Sequence, residues 1–330
     1  MSRLGVHIIQ GPRNYYGDLL SRCAGAGSPV PLVKVVEVGD ALKEAKEYSR
    51  DTLTVFRTKV AGDVPGGNFP NAFHTDAASL ARGWMNKLLP VWLERAGYTD
   101  YFESINESVP QSASAAEYLG EFEAECANIA QRELGARLCA FNFASGSPDL
   151  KLWDTLAPFV GHIHSLGGAV GLHMYGLNGS FTNSPDHVFR HREILSRLSK
   201  LGVFCRILFT ECAPHFGGHE WGGSEFFMQQ CQWLDKALAD DTIGPVALFT
   251  LGGIGEWKNA NFQDILPQLA DWIIAHPTPG APEPQPEPEP EDARYAIVTD
   301  NRQLFQATLA YANYFKDGLG AQVWAEDADD

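Results

Sequence analysis

The sequence predicts an α/β protein: a (β/α)8 barrel of the TIM type, followed by a Pro/Glu-rich linker and a short C-terminal βα piece. Three observations predict it. Eight short runs rich in β-branched and aromatic residues alternate with longer amphipathic stretches, the pattern of strand-helix units on a parallel sheet. The eight units occupy about 275 residues, an ordinary size for such a barrel. The first strand runs into Gln10-Gly11-Pro12-Arg13-Asn14, which lacks the glycine-rich phosphate loop of the competing doubly wound sheet.

In chain order, the strands are expected at Leu4–Ile9, Leu32–Val38, Leu53–Arg57, Tyr101–Asn106, Leu138–Phe143, Ala169–Met174, Phe204–Thr210 and Val246–Leu251. Helical patterns lie between them at Tyr15–Ala24, Ala41–Tyr48, Asp76–Ala96, Ala113–Leu134, Pro148–Leu166, Asp186–Leu201, Ser224–Ala239 and Asn261–Ala275. Start signals mark several of them. In Ser147-Pro148-Asp149 the serine can cap and the proline suits a first helical turn, and Asn183-Ser184-Pro185-Asp186 reads the same way. Gly167, Gly168 and Gly202 fall where helices should stop. The barrel is thus expected over residues 1–276. Residues 277–292 alternate Pro and Glu, which stiffens and extends the chain as a linker. Residues 293–330 read as one strand and one helix, too short for a core of their own and of unknown role.

With 330 residues, 45% of them hydrophobic, the chain can bury a large core. Its formal net charge of −16 makes nucleic acid and anionic membranes poor partners, since both would be repelled. The sequence is silent on oligomeric state. Six cysteines are scattered without a CxxC pair, so they read as buried reduced thiols rather than a zinc or redox motif. No apolar run is long enough to span a bilayer, and no basic and apolar leader precedes the first strand. A soluble protein of the cytoplasm, or one released by lysis, is therefore expected unless a signal peptide preceded this sequence.

In a parallel barrel, functional groups sit at the C-terminal ends of the strands. Here those ends carry His7, Lys34, Arg57, Asn106 with Glu107, Asn142, His173 with Tyr175, Glu211, and the segment from Thr250 to Trp257. Two carboxylates, after strand four and on strand seven, suit glycoside hydrolysis. That reaction needs one protonated acid for the leaving oxygen and one charged group to attack or to activate water. Asn106 can hold a sugar 2-hydroxyl, and Tyr175 can donate to Glu211 and help to keep it ionised.

Asn106-Glu107 ending strand four, His173-Met174-Tyr175 on strand six, Glu211 on strand seven and a tryptophan after strand eight together resemble the clan A glycoside hydrolases, family 5-like enzymes in particular. The resemblance covers about residues 4–276 as architecture, with specific matches confined to the strand ends. It implies a retaining enzyme that needs no metal or other cofactor, with Glu107 as acid/base and Glu211 as nucleophile. His173 and Tyr175 would line the subsite at the cleaved bond, and Trp257 would stack beneath a sugar ring. One departure stands out. Such enzymes place an arginine near the nucleophile at the end of strand two, whereas Arg57 ends the third strand here.

Other patterns are weaker. His162 with His164, and His187 with His191, have metal-like spacing but no third ligand, so they read as packed or surface histidines. His219-Glu220-Trp221 is not an HExxH motif, and Trp221 with its flanking glycines is expected to form part of a sugar-binding wall. Ser104 and Ser145 lack a GxSxG setting. Long loops after strands three (Thr58–Asp76) and seven (Cys212–Gly223) suit an open cleft and endo action on a polysaccharide or oligosaccharide. Two rivals remain: a muramidase-like barrel that lyses cell walls, and a non-catalytic carbohydrate-binding barrel.

Overall fold

The computed structural model describes residues 2–59, 76–177, 179–183, 185–215 and 223–277. Eight strands form a closed barrel in sequence order: β1 (Leu4–Ile8), β2 (Leu32–Val36), β3 (Leu53–Arg57), β4 (Tyr101–Glu103), β5 (Arg137–Phe143), β6 (Ala169–Tyr175), β7 (Arg206–Ala213) and β8 (Val246–Leu251). Every neighbouring pair is parallel, including β1 with β8, which closes the ring. The ends of the barrel domain meet where the Ser2 amide donates to the His276 carbonyl at 2.7 Å. The linker beyond residue 277 and the C-terminal piece, residues 293–330, lie outside the described residues.

The surrounding helices are α1 (Tyr16–Gly25), α2 (Asp40–Tyr48), α3 (Ala77–Leu93), α4 (Ala113–Leu134), α5 (Trp153–Ser165), α6 (Pro185–Val188), α7 (Arg190–Lys200), α8 (Ser224–Ala237) and α9 (Leu266–Ala275). Local signals explain several of their ends. Asp76 caps α3 by accepting the Ser79 amide at 2.8 Å, and Ser112 caps α4 through the Ala115 amide at 3.2 Å. Gly167 and Gly202 take φ of 75° and 72°, the left-handed conformation that lets the chain leave α5 and α7 without a Cβ clash. Two expected helices begin differently. Asp149, rather than Ser147, caps the turn before α5, and that turn is a 3-10 helix, so α5 starts at Trp153. The stretch expected as one helix from Asp186 is divided at Phe189 into α6 and α7.

The barrel interior is layered. Its floor is apolar: Leu32, Val55, Tyr101, Cys139, Ala169, Leu208 and Ala247, one from each of seven strands, pack together. Gly5 supplies the eighth place, because a Cβ there would lie 2.0 Å from the Leu32 carbonyl oxygen. Side chains alternate along a strand, so the next inward position lies two residues further on. That step gives His7, Lys34, Arg57, Glu103, Gly171 and Phe249, a layer in which charge replaces hydrocarbon. Outside the strands, the helices bury a continuous apolar shell that includes Trp92, Trp153 and Phe122.

Candidate active site

Two β-bulges turn side chains into the mouth. Along the β6–β7 ladder, Leu172 pairs with Phe209 but His173 pairs with Glu211, so Thr210 is an extra residue. The shift reverses the alternation beyond it, and Glu211 and Ala213 join the inward face that Thr210 already shares. In β5 a comparable shift between Ala140 and Phe143 brings Asn142 inward. Gly171 makes room for it, since a Cβ there would come within 1.9 Å of Asn142 Oδ1.

Glu107 arrives by a different route. β4 ends at Glu103, and Ser104 to Glu107 leave the sheet as a loop, three residues earlier than the strand expected from sequence. The loop is pinned at each step. Trp84 Nε1 donates to the Ser104 carbonyl at 2.8 Å, Asn142 Nδ2 to the Ile105 carbonyl at 3.0 Å, and the Glu107 amide to the Asn142 carbonyl at 3.0 Å. Glu107 sits at φ 51°, a left-handed conformation that a non-glycine residue holds only when its surroundings over-determine it.

The two carboxylates face each other across His173. Its Nδ1 lies 2.7 Å from Glu107 Oε1 and 3.4 Å from Glu211 Oε2, and Tyr175 donates its hydroxyl to Glu211 Oε2 at 2.8 Å. Ligand atoms of Glu107, His173 and Glu211 all lie within 4.8 Å of one another. Among the described residues, these three are the set that could take a divalent cation. However, Lys34 and Tyr175 already engage one Glu211 oxygen each, which leaves that carboxylate poorly disposed to bind a metal.

Beneath Glu211 lies a group of buried cations and dipoles. Lys34 is fully buried, with Nζ 3.4 Å from Glu211 Oε1 and 2.9 Å from Glu103 Oε2, the second contact too oblique for a hydrogen bond. His7 Nε2 is 3.9 Å from Glu211 Oε1, and His7 Nδ1 meets Thr250 Oγ1 at 3.2 Å. Burial, reinforced by the charge of Lys34, drives the His7 pKa well down, so this contact is dipolar rather than an ion pair. For Glu211, burial pushes the pKa up. The charges of His173, Lys34 and Arg57 overcome that and hold it well below the usual carboxylate range. Burial, with the Glu211 charge beside it, raises the Tyr175 hydroxyl well above its ordinary value, so it remains a donor.

The predicted site residues therefore divide into groups. Glu107, Glu211, His173 and Tyr175 come together, and Asn106 stands next to them with its Oδ1 buried and unpartnered among the described residues. Phe249 connects Tyr175 (5.9 Å between rings, edge-on) to the half-buried Trp257 (5.0 Å, edge-on), which places Trp257 at the rim. Two more of the strand-end groups lie deeper. Asn142 is fully buried, its amide spent on the Ile105 and Cys139 carbonyls, and it supports the Glu107 loop from below. His7, 1% exposed, lies under Glu211 rather than in the open mouth. Arg57 ends β3 as counted, and its charge acts on Glu211. The β2 cation beside Glu211 is Lys34, not an arginine. Trp221, and with it His219 and Glu220, lies outside the described residues.

Groups dismissed on sequence have structural partners. Ser145 Oγ accepts the Tyr175 amide at 2.6 Å, His191 Nε2 meets Asp241 Oδ2 at 2.7 Å, and His162 Nε2 meets Asn128 Oδ1 at 2.8 Å. Five of the six cysteines are buried and Cys205 is half-buried, all as free thiols. Sequence reasoning passed over Lys34 and Glu103 as a pair, although a charge inside Leu32–Val36 or Tyr101–Glu103, strands buried at nearly every position, is itself a signal.

No protein-family model matches the chain, and no curated protein matches its sequence. Solved structures match its shape. A glucosidase from Croceicoccus marinus superposes with a TM-score of 0.53 at 12% identity, over 79% of this chain and 62% of that one. A Lactobacillus rhamnosus beta-glucuronidase gives 0.51 at 14%, over 84% and 49%, and one from Ruminococcus gnavus gives 0.51 at 11%, over 82% and 49%. What they share with this chain is the barrel. The chain spans about half the length of the two glucuronidases. Among the described residues no helix is long and apolar enough to cross a membrane.

Proposed function

We propose that the chain is a retaining glycoside hydrolase that cleaves β-glycosidic bonds in a polysaccharide or oligosaccharide, with Glu107 as acid/base and Glu211 as nucleophile. One observation carries the reading: a carboxylate from the β4 loop and one from β7 stand within 4.8 Å at their ligand atoms, joined through His173. That spacing suits the ~5–5.5 Å of retaining enzymes rather than the ~6.5–9.5 Å that leaves room for an attacking water. The barrel shared with a glucosidase and with glucuronidases agrees with it.

The environments divide the labour. The Glu211 side chain is 10% exposed and ringed by cations, so it stays ionised and attacks the anomeric carbon. The Glu107 side chain is 26% exposed, which lets it exchange its proton with solvent. As the bond to the leaving oxygen breaks, Glu107 protonates that oxygen, and a glycosyl ester forms on Glu211. Glu107 then takes a proton from water, which attacks the ester and releases the sugar with its original configuration. Tyr175 and Lys34 each hold one Glu211 oxygen and so fix the orientation in which the carboxylate attacks. Asn106 holds the sugar 2-hydroxyl through its side-chain amide, His173 and Tyr175 line the cleaved bond, Arg57 adds charge beneath it near Glu211, and Trp257 stacks on a ring. Endo action follows from the lengths of the segments after β3 and β7, which suit the walls of an open cleft.

The test is reducing-sugar release from neutral β-glucans and β-mannans, with NMR of the first-formed anomer. Wild-type protein is expected to release the β-anomer first, and Glu211→Ala and Glu107→Ala to abolish release. First formation of the α-anomer, or wild-type rates in both variants, would refute the reading. Clearing of cell-wall suspensions without glucan or mannan cleavage would move the substrate to peptidoglycan.

A further inference from the structure

On α4, Ala116, Leu119, Glu123, Ala127 and Ala130 recur at three- and four-residue spacing, and all are buried. A carboxyl group in that stripe is tolerated only with partners. Its two partners flank the anchorage of Glu107. Oε2 accepts from Ser104 Oγ at 2.6 Å, at the start of the loop, and Oε1 accepts from the Phe141 amide at 2.9 Å. Phe141 precedes Asn142, which holds both Ile105 and Glu107 by the bonds described above. Phe141, Asn142 and Glu107 all have left-handed backbones, at φ of 72°, 43° and 51°. Three such residues in contact require an external clamp.

We propose that Glu123 is the positioning residue of Glu107: from α4 it ties the β4 loop to the β5 bulge and so fixes where the acid/base carboxyl stands against His173. The inference rests on Glu107 being the proton donor. Burial pushes the Glu123 carboxyl up, the bonds from Ser104 and Phe141 draw it part-way back, and the Glu103 charge adds to the rise, leaving it at about 7. The thiols of Cys126 on α4 and Cys139 on β5 also feel the Glu123 charge, although burial is the main reason that both stay protonated. In its neutral form the carbonyl oxygen still accepts from Phe141 and the hydroxyl turns to Ser104. Glutamine can make the same two bonds, so Glu123→Gln preserves the clamp and Glu123→Ala removes it.

Aryl β-glycosides of glucose, mannose and glucuronic acid separate positioning from plain damage. A methylphenolate leaving group needs the proton from Glu107, whereas a dinitrophenolate does not. Glu123→Ala is expected to lower kcat/KM on methylphenyl glycosides about a hundred-fold, since small misplacements cost that much. On dinitrophenyl glycosides the loss of kcat/KM should stay below about ten-fold, while kcat and KM fall together because Glu107 must still activate the water, and Glu123→Gln should restore both substrates to near wild type. Amide hydrogen exchange at Glu107 and Phe141 should speed up in the alanine variant and not in the glutamine one. If Glu123→Ala does not fold, Ser104→Ala, which removes one tie, should shift the same readouts the same way by a smaller factor. Equal losses of kcat/KM on both leaving groups, or unchanged exchange at these amides in a folded variant, would overturn the proposal. If wild-type protein hydrolyses none of these glycosides, amide exchange alone decides whether Glu123 is the clamp, and the hydrolase reading is decided separately by sugar release from glucans and mannans.

Discussion

The floor and the mouth of the barrel are built by the same strands, two residues apart, and they obey opposite rules. At the floor, Leu32, Val55, Tyr101, Leu208 and their neighbours bury hydrocarbon against hydrocarbon. One step up, Lys34 and Glu103 are as deeply enclosed but charged, Arg57 is buried a little less completely, and His7 and Glu211 lie close by. Burying hydrocarbon is favourable at about 25 cal/mol per Å². Burying charge is costly even when paired, and such pairs often contribute little net stability. The floor therefore holds the barrel together, and the mouth spends part of that stability on keeping one carboxylate ionised.

Substitutions in the two layers should break activity and stability separately. The largest effect is expected at Glu211: Glu211→Gln should cut kcat/KM by about ten-thousand-fold, as for other groups that act as a unit, while Tm changes little because Lys34 keeps Glu103 as its counter-charge. Steady-state kinetics with a melting curve on the same sample checks both. A marked fall in Tm would mean that the mouth carries stability after all.

Lys34→Met comes next. It leaves Glu103 and Glu211 without their shared cation, and removing one member of a buried charge group costs about 3–5 kcal/mol. The lost charge lets the Glu211 pKa rise, so the acid limb of the kcat/KM profile should move to higher pH. Adding Glu103→Leu should recover stability but leave the limb displaced. Recovery of both would show that Lys34 acts on Glu211 only through Glu103.

At the floor, Leu208→Ala should cost about 2–5 kcal/mol in denaturant melts, with kcat per folded molecule little changed. A comparable loss of kcat would mean that the layers are mechanically coupled.

The smallest effect is a pH dependence. Because the folded pKa of Glu123 is raised from 4.5 to about 7, the native state binds the extra proton between those values. Stability is then greatest at the acidic end of that window, falls as pH rises through it, and levels off above. The total drop is roughly 3 kcal/mol by linkage. Glu123→Gln should flatten that slope in denaturant melts taken across the window, and a slope that persists would assign it to another group.

Much of the barrel was legible because periodicity is local. Eight apolar runs separated by amphipathic stretches read directly as strands and helices, and the strand-end rule then singled out Glu107 and Glu211. Glu123 was hidden differently. Among Glu117, Glu121, Glu123 and Glu125 it looks like one more surface carboxylate, although its place in the Ala116-Leu119-Ala127 stripe could have marked it. The β7 bulge had no comparable signal. Counted by alternation alone, Thr210 and Glu211 cannot both face inward.

The sequence by itself determined the number and order of the strand-helix units, the apolar character of the floor and the two carboxylates to watch, because each depends on residues close together in the chain. Tertiary structure alone decided how those carboxylates meet. The Thr210 bulge aims Glu211, the bond between the Glu107 amide and Asn142 sets the loop, and Lys34 reaches from β2 to Glu103 and Glu211. These are pairings between strands far apart in sequence. Their energies depend on burial and on angstrom-scale register, neither of which exists until the barrel closes.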